Sequence, residues 1–230
     1  MDIALDGSHA GRVAIVTGGS RGVGRATIRR LAASGYAVVV NYLHDQRAAE
    51  STVEAILAGN RDAVAVRADV ADDLDVQRLF AETVAVFGGI DVVVHTVGSR
   101  ITATPLAEAD LDEFDALARI NTRATFIVNR EAARHLRNGG AVVNLSSSAG
   151  GSSLTTHGVY AAIKAATDVL TRALALELRE RNITVNAVSL EVHGPCAPDR
   201  VADVIAYLVS DHGHHLTGQV LGVADFELRP

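Results

Sequence analysis

Lysine is nearly missing from this chain of 230 residues: twenty of its 21 basic residues are arginine, and the only lysine is Lys164. A Walker-type phosphate loop, which needs Gly-Lys-Ser/Thr, is thereby excluded, because Lys164 sits in YAAIKAA. Cysteine is as scarce, and Cys196 alone cannot close an intrachain disulfide. No window approaches the ~18 uninterrupted apolar residues that a membrane helix needs. The first residues, MDIALDGSHAG, are acidic and interrupted, unlike the basic stretch and apolar run of a signal peptide. These absences point to a soluble, cytoplasmic protein with no membrane partner. With 27 acidic residues against 21 basic ones, a nucleic acid is not an expected partner either. What is present is 48% hydrophobic residues, enough for one α/β core but not for two full domains. Residues 1–230 are therefore expected to form a single domain.

Short β-branched runs alternate with Ala-rich amphipathic stretches from residue 12 onward, the pattern of repeated βαβ units. The runs VAIVT (13–17), AVVVN (37–41), AVAVR (63–67), DVVVH (91–95), AVVNLS (141–146), ITVNAVS (183–189) and QVLGV (219–223) predict seven strands. Helical patterns fall at 23–34, 45–58, 72–87, 110–137, 157–181 and 200–211. Asp72 and Asp110 are placed as N-caps, and Pro198 with Asp199 marks another helix start. Gly35, Gly59 and Gly139 stand after helix ends, where a left-handed residue is convenient. A TIM barrel is the rival architecture, but seven strands and a glycine-rich turn after the first of them favour a doubly wound sheet. The expected fold is a single Rossmann-type α/β domain whose seven parallel strands run in the order 3-2-1-4-5-6-7, with helices on both faces.

The first strand runs into GGSRGVGRATIRRLAASG, which puts Gly18, Gly22 and Gly24 at a strand-to-helix turn. There, backbone amides and the helix dipole can face a pyrophosphate. The standard G-x-G-x-x-G/A fingerprint fails, since Thr27 stands where a small packing residue belongs. Read as T-G-x-x-x-G-x-G, however, Thr17 to Gly24 resembles the cofactor loop of the short-chain dehydrogenase/reductase family, in particular its 3-oxoacyl-[acyl-carrier-protein] reductase-like members. That resemblance implies a nicotinamide dinucleotide held by Gly18, Ser20, Arg21, Gly22, Val23 and Gly24, with Asp69 and Val70 at the adenine and Gly98 where the cofactor approaches. An acidic residue at the end of the second strand would select NAD, but Asn41 and Tyr42 stand there. Arg21 lies where the family places an arginine beside the 2′-phosphate of NADP. NADP(H) is the expected cofactor. Two other readings stay open: Arg21 as a solvated loop residue, and Asp45 reaching a ribose from the next helix.

Tyr160 and Lys164 are four apart on a strongly helical stretch, so both occupy one face. A phenol near its reference pKa of ~10 is a poor acid-base catalyst at neutral pH, and a neighbouring ammonium favours the phenolate. The motif is weak alone, but only 4 of 230 positions lie four after a tyrosine, and the sole lysine occupies one. The family resemblance adds Ser147, thirteen residues before Tyr160, as the serine that binds the substrate carbonyl, with Ser146 and Ser148 as neighbours. It also makes Asn121 the asparagine of a water-linked proton relay to Lys164. The implied reaction is hydride transfer between nicotinamide and a carbonyl or alcohol of a small molecule. The alternatives are a non-catalytic nucleotide-binding member, or an enzyme of another reaction type such as imine reduction, epimerisation or dehydration.

Four departures from the family pattern stand out. His95, Thr96, Val97 and Gly98 replace the usual Asn-Asn-Ala-Gly, and Ser189, Leu190 and Glu191 replace Pro-Gly after the sixth strand, leaving Val192 as the carboxamide contact. Only residues 189–198 separate that strand from the next helix, where relatives insert a helical substrate lid. The terminal Val-Asp-Gly-Gly of many relatives is altered to VADFELRP. No metal site is expected: His212, His214 and His215 lack a spaced Cys or carboxylate partner. His193 and Cys196 flank a Gly-Pro turn, and a cysteine nucleophile is the lesser reading. Helices 110–137 and 157–181 carry more apolar positions than one sheet face covers, so a homodimer or homotetramer is expected.

Overall fold

The structure, a computed structural model, describes residues 11–99, 104–147, 157–190 and 197–223. Ser148, Glu191, Val192, His193, Cys196 and residues 224–230 lie outside the described residues. Seven strands form one parallel sheet in the order β3-β2-β1-β4-β5-β6-β7, as expected. They are β1 (Val13–Thr17), β2 (Ala37–Tyr42), β3 (Ala63–Arg67), β4 (Ile90–His95), β5 (Leu136–Ser147), β6 (Thr184–Leu190) and β7 (Val220–Val223). The helices are α1 (Gly22–Ala33), α2 (Gln46–Leu57), α3 (Asp73–Phe87), α4 (Leu111–Ala118), α5 (Ala124–His135), α6 (Gly158–Glu177) and α7 (Pro198–Leu208). Among the described residues, no helix is long and apolar enough to cross a membrane.

Continuous β-branched strands bury both faces of the sheet, and alternate residues supply two cores. Ile15, Val39, Val93 and Val142 face α3, α5 and α6 together with Leu79, Phe80 and Val128. Val16, Val38, Val94 and Val143 face α1, α2 and α7 together with Ile28, Leu31 and Ile205. Each such fully buried side chain contributes about 1.5–3 kcal/mol of transfer free energy. At the edge of the first core, Glu131 of α5 is 1% exposed and pairs with Arg130 and Arg134. Arg130 also reaches Asp73 of α3, so these two helices are joined by charge as well as by packing.

Local signals explain most boundaries. Asp72 accepts from Asp75 N and Asp110 from Glu113 N, both at 3.0 Å, as N-caps do. Pro198 opens α7, two residues before the predicted start. Gly35 and Gly139 are left-handed as expected, but after α2 it is Asn60, φ +54°, and not Gly59 that takes this conformation. The predicted helix 110–137 is helical without a gap over residues 111–135, but a π turn at Arg119–Arg123 lies between α4 and α5. Its cause is local. The Nδ2 of Asn121 donates to Leu117 O at 3.0 Å, so a side chain takes the carbonyl that an unbroken helix would give to the backbone. The same side chain faces the carboxyl edge of the sheet, where the functional residues lie.

Candidate active site

At the end of β1 the chain turns through Gly18 and Gly22, both with positive φ (+65° and +53°), into α1. A Cβ on Gly24 would lie 2.2 Å from Gly18 O, so the first turn of α1 rests directly on the loop backbone. Asn41 clamps this loop from β2. Its Oδ1 accepts from Gly18 N at 3.3 Å, and its Nδ2 donates to Ala68 O at 3.1 Å and to Val66 O at 3.4 Å. Asn41, expected among the cofactor-binding residues, thus has its amide engaged by main-chain groups and also lines the cleft beside the loop. Beside it opens a cleft of about 340 Å³ whose wall includes Gly18, Ser20, Arg21, Tyr42, Val70 and Gly98. Gly22, Val23 and Gly24 form the turn of α1 behind the loop, and Val23 packs on the second core.

Asp69, the expected adenine contact, also lines this cleft. Its carboxylate accepts from Ala71 N at 2.9 Å and from Arg119 Nη2 at 2.7 Å. Burial pushes its pKa up, but the bonds from Arg119 and Ala71 outweigh this and hold it below the usual carboxylate range. Arg119, at the start of the π turn, had no sequence signal, since its partner is fifty residues away. Asp45 is likewise engaged, capping α2 by accepting from Ala48 N at 3.0 Å.

A second cavity, of about 100 Å³, adjoins the first at Gly98 and Ser99 and is lined by Thr96, Leu145, Ser147, Tyr160, Lys164 and Leu190. One face of α6 brings Tyr160 and Lys164 together: each is 6% exposed, and Lys164 Nζ lies 5.9 Å from the Tyr160 ring centroid. Lys164 Nζ donates to Leu145 O at 3.3 Å, and Ser147 Oγ donates to Leu190 O at 3.2 Å. A Cβ on Gly98 would come within 2.8 Å of Asn121 Oδ1 and 3.0 Å of Lys164 Nζ. Asn121 Nδ2 is held by Leu117 O and by Ser99 O, while its buried Oδ1 has no hydrogen-bond partner among the described residues. Asn121, Ser147, Tyr160 and Lys164 thus collect around a backbone stretch without a side chain, next to the glycine loop. Ser99 and Leu145 were not singled out from the sequence, and Leu190 was noted only as part of the replaced Pro-Gly segment. Their position just beyond or at strand ends is the signal that could have found them.

The residues in place of Asn-Asn-Ala support the floor of this site. Thr96 N donates to Thr17 Oγ1 at 3.1 Å, and Thr96 Oγ1 donates to Thr17 O at 2.6 Å. His95 Nδ1 lies 2.9 Å from Thr17 Oγ1. Burial, with the Lys164 charge adding to it, holds the His95 imidazole down to about 3, so it is neutral near neutral pH.

Over residues 12–194 the sequence matches the short chain dehydrogenase family. The chain belongs to this family. It is 36% identical over 249 residues to versicolorin reductase 1 of Aspergillus parasiticus, covering 93% of this chain and 95% of that protein. It is 40% identical over 180 residues to the hydroxynaphthalene reductase arp2 of Aspergillus fumigatus, covering 78% and 66%. A short-chain dehydrogenase from Burkholderia cenocepacia, solved in complex with NADP, superposes with a TM-score of 0.84 at 34% identity over 93% of this chain and 96% of that one. As a short-chain dehydrogenase, the protein is an oxidoreductase acting on carbonyl or alcohol groups. The 249-residue alignment exceeds the 230 residues of this chain, so versicolorin reductase 1 carries segments that this short-chain dehydrogenase lacks.

The state of His95 has a consequence for stability. Unfolded, its imidazole titrates at 6.5; folded, at about 3, so between these values the unfolded chain binds the extra proton. The contribution is fully present above pH 6.5 and is lost as the pH falls toward 3. In urea titrations, the wild-type midpoint should fall more steeply between pH 7 and 4.5 than that of His95→Asn. Parallel pH profiles would contradict a buried neutral imidazole.

Proposed function

We propose that this short-chain dehydrogenase reduces a small-molecule ketone with NADPH, the reverse oxidation using the same groups. The observation that carries the proposal is that Asn121 and Lys164 meet at Gly98, which with Ser147, Tyr160 and Lys164 lines a cavity adjoining the cleft along the glycine loop. The residues fit a dinucleotide: a first turn of α1 that no side chain caps, a position without a Cβ at the junction, and beside it a buried carbonyl oxygen on Asn121 with no hydrogen-bond partner among the described residues. Gly18, Ser20, Arg21, Gly22, Val23 and Gly24 would hold its phosphates, Tyr42, Asp69 and Val70 its adenosine end, and Lys164 its second ribose. When bound, the nicotinamide exchanges hydride with the substrate carbon.

The protein's own groups handle the oxygen. Ser147 would turn its hydroxyl from Leu190 O to the substrate oxygen, fixing it beside the Tyr160 hydroxyl. Tyr160 gives that oxygen its proton, and Lys164, with its ammonium on the tyrosine ring side, favours the phenolate left behind. Asn121 keeps the carbonyl oxygen of its amide toward Lys164, a suitable seat for a water that returns the proton. The preference for NADP(H) rests on three points: the absence of a free carboxylate at the end of β2, Asp45 being tied to α2, and Arg21 standing on the cleft wall where a 2′-phosphate can be paired. The relatives named as versicolorin and hydroxynaphthalene reductases suggest a phenolic polycyclic ketone as substrate, with 3-oxoacyl thioesters as the comparison class. For assembly, the half-exposed Phe114 and Phe126 and the exposed Leu111 and Val169 make the α4–α6 surface the proposed contact between copies of the chain.

Three outcomes test this reading. Across a panel of both substrate classes, Tyr160→Phe should lose about 10²–10⁴-fold in kcat while NADPH binding is retained; undiminished turnover would refute the role of Tyr160. The wild type should use NADPH more efficiently than NADH, and Arg21→Ala should erode that ratio roughly tenfold or more; a ratio favouring NADH would overturn the cofactor choice. Small-angle scattering should report a dimer or tetramer at assay concentration, and a monomer would contradict the proposed contact.

A further inference from the structure

A buried row of polar side chains runs beneath the site, across the sheet. Thr17, Asn144 and Thr171 are fully buried, and His95 is 1% exposed. They lie on β1, β5, α6 and β4 respectively, and all face the side of the sheet that carries α5 and α6, because Ile15, Val93 and Val142, two residues earlier on each strand, belong to that core. The proton positions in this row are assigned by giving each donor an acceptor within reach. Thr17 Oγ1 already accepts from Thr96 N, and its single proton has His95 Nδ1 at 2.9 Å as its acceptor. The imidazole, being neutral, then carries its own proton on Nε2, which is buried with no partner among the described residues.

Asn144 presents the complementary half. Its Nδ2 donates to Thr171 Oγ1 at 3.0 Å, and the Thr171 hydroxyl spends its own proton on Thr167 O at 2.8 Å. That chain of donors fixes which end of the amide is oxygen, and Asn144 Oδ1 is left buried without a partner. His95 and Asn144 are register partners on the neighbouring parallel strands β4 and β5. A buried donor and a buried acceptor therefore stand side by side, and Ser146 Oγ and Thr167 Oγ1, on the same face, are also buried and unpartnered. Polar groups are rarely left so in a folded core, and a site with two to four of them is what an internal water requires.

We propose that His95 is a positioning residue: as the Nε2–H tautomer it links Thr17 to Asn144 through one buried water, tying the helix that carries Tyr160 and Lys164 to the first residue of the glycine loop. The belt runs Thr171, Asn144, water, His95, Thr17 and Thr96, and so crosses α6, β5, β4 and β1. Thr17 is joined to Gly18, whose nearest neighbours across the gap, Thr96 Oγ1 and Val97 Cγ2, would each lie 3.1 Å from a Cβ there. A shift of His95 is thus passed to the loop that faces the phosphates. An apolar side chain at position 95 could fill the volume but would cut the belt, whereas glutamine could still accept from Thr17 and donate to the water.

The tautomer is read directly from the wild-type protein. In a two-bond proton–nitrogen correlation spectrum of the histidine-labelled chain at neutral pH, the resonance that disappears in His95→Gln should show a protonated Nε2 and a bare Nδ1. A protonated Nδ1, or an imidazolium, would overturn the proposal, and if His95→Gln does not fold, the same comparison is made with Asn144→Asp, which should shift only that resonance. Crystals diffracting well enough to show internal waters should place one between His95 Nε2 and Asn144 Oδ1, and a dry contact there would refute the water link. For the coupling, NADPH affinity is measured by cofactor fluorescence: His95→Leu and Asn144→Leu should each weaken binding about tenfold, the double variant little further, and His95→Gln should recover most of the loss. Fully additive losses, or none, would contradict the belt. The last experiment rests on the dinucleotide reading: a correct tautomer with no binding by the wild type would sink that reading and leave the belt standing, whereas firm binding with the wrong tautomer would do the reverse.

Discussion

Helix α1 starts under the end of β1 only because the chain there can come closer to itself than side chains allow. With Gly18 O 2.2 Å from where a Cβ of Gly24 would be, no residue but glycine fits without moving backbone. From this approach follows the shape of the loop, the cleft beside it and the need for outside support, since two left-handed glycines in one turn have much freedom to lose. Asn41 from β2 and Thr96, the residue after β4, supply that support with hydrogen bonds to Gly18 N and Thr17 O. The loop is therefore a shared product of three strands, which puts it in register with the residues that follow β4 and β5.

The same constraint recurs at Gly98, where the missing side chain lets Asn121 and Lys164 face one point. Lysine is rarely buried to 6% exposure unless something compensates it. Here a main-chain carbonyl of β5, the tyrosine ring one helical turn away and the amide oxygen of Asn121 surround it with negative potential. The scarcity of lysine in the sequence is thus matched by the singularity of its place. An arginine, with a larger planar head, would not fit a site whose nearest neighbour must lack even a Cβ.

Strands were the legible part of the sequence, because runs such as VAIVT and AVVVN are buried on both faces and carry no competing signal. Tyr160, Lys164 and the glycine loop were legible too, being set by short spacings within one helix or one turn. What could not be read depends on partners far apart in the chain. The π turn at Arg119–Arg123 looks like uninterrupted α-helix until Asn121 is seen donating to Leu117 O, and Asp69 looks free until Arg119 arrives from another element. Asn41 was placed at the end of β2, but nothing in the sequence signals that its amide also bonds Gly18 N, Val66 O and Ala68 O, partners that lie on other parts of the chain.

The account stands on the two cavities forming one continuous site that meets at Gly98. A crystal structure with NADP(H) bound tests this most directly. The account predicts the pyrophosphate along Gly18 to Gly22 and the nicotinamide past Gly98, with its reactive face toward Tyr160 and Ser147. A dinucleotide lying elsewhere, or a nicotinamide turned away from Tyr160, would contradict it.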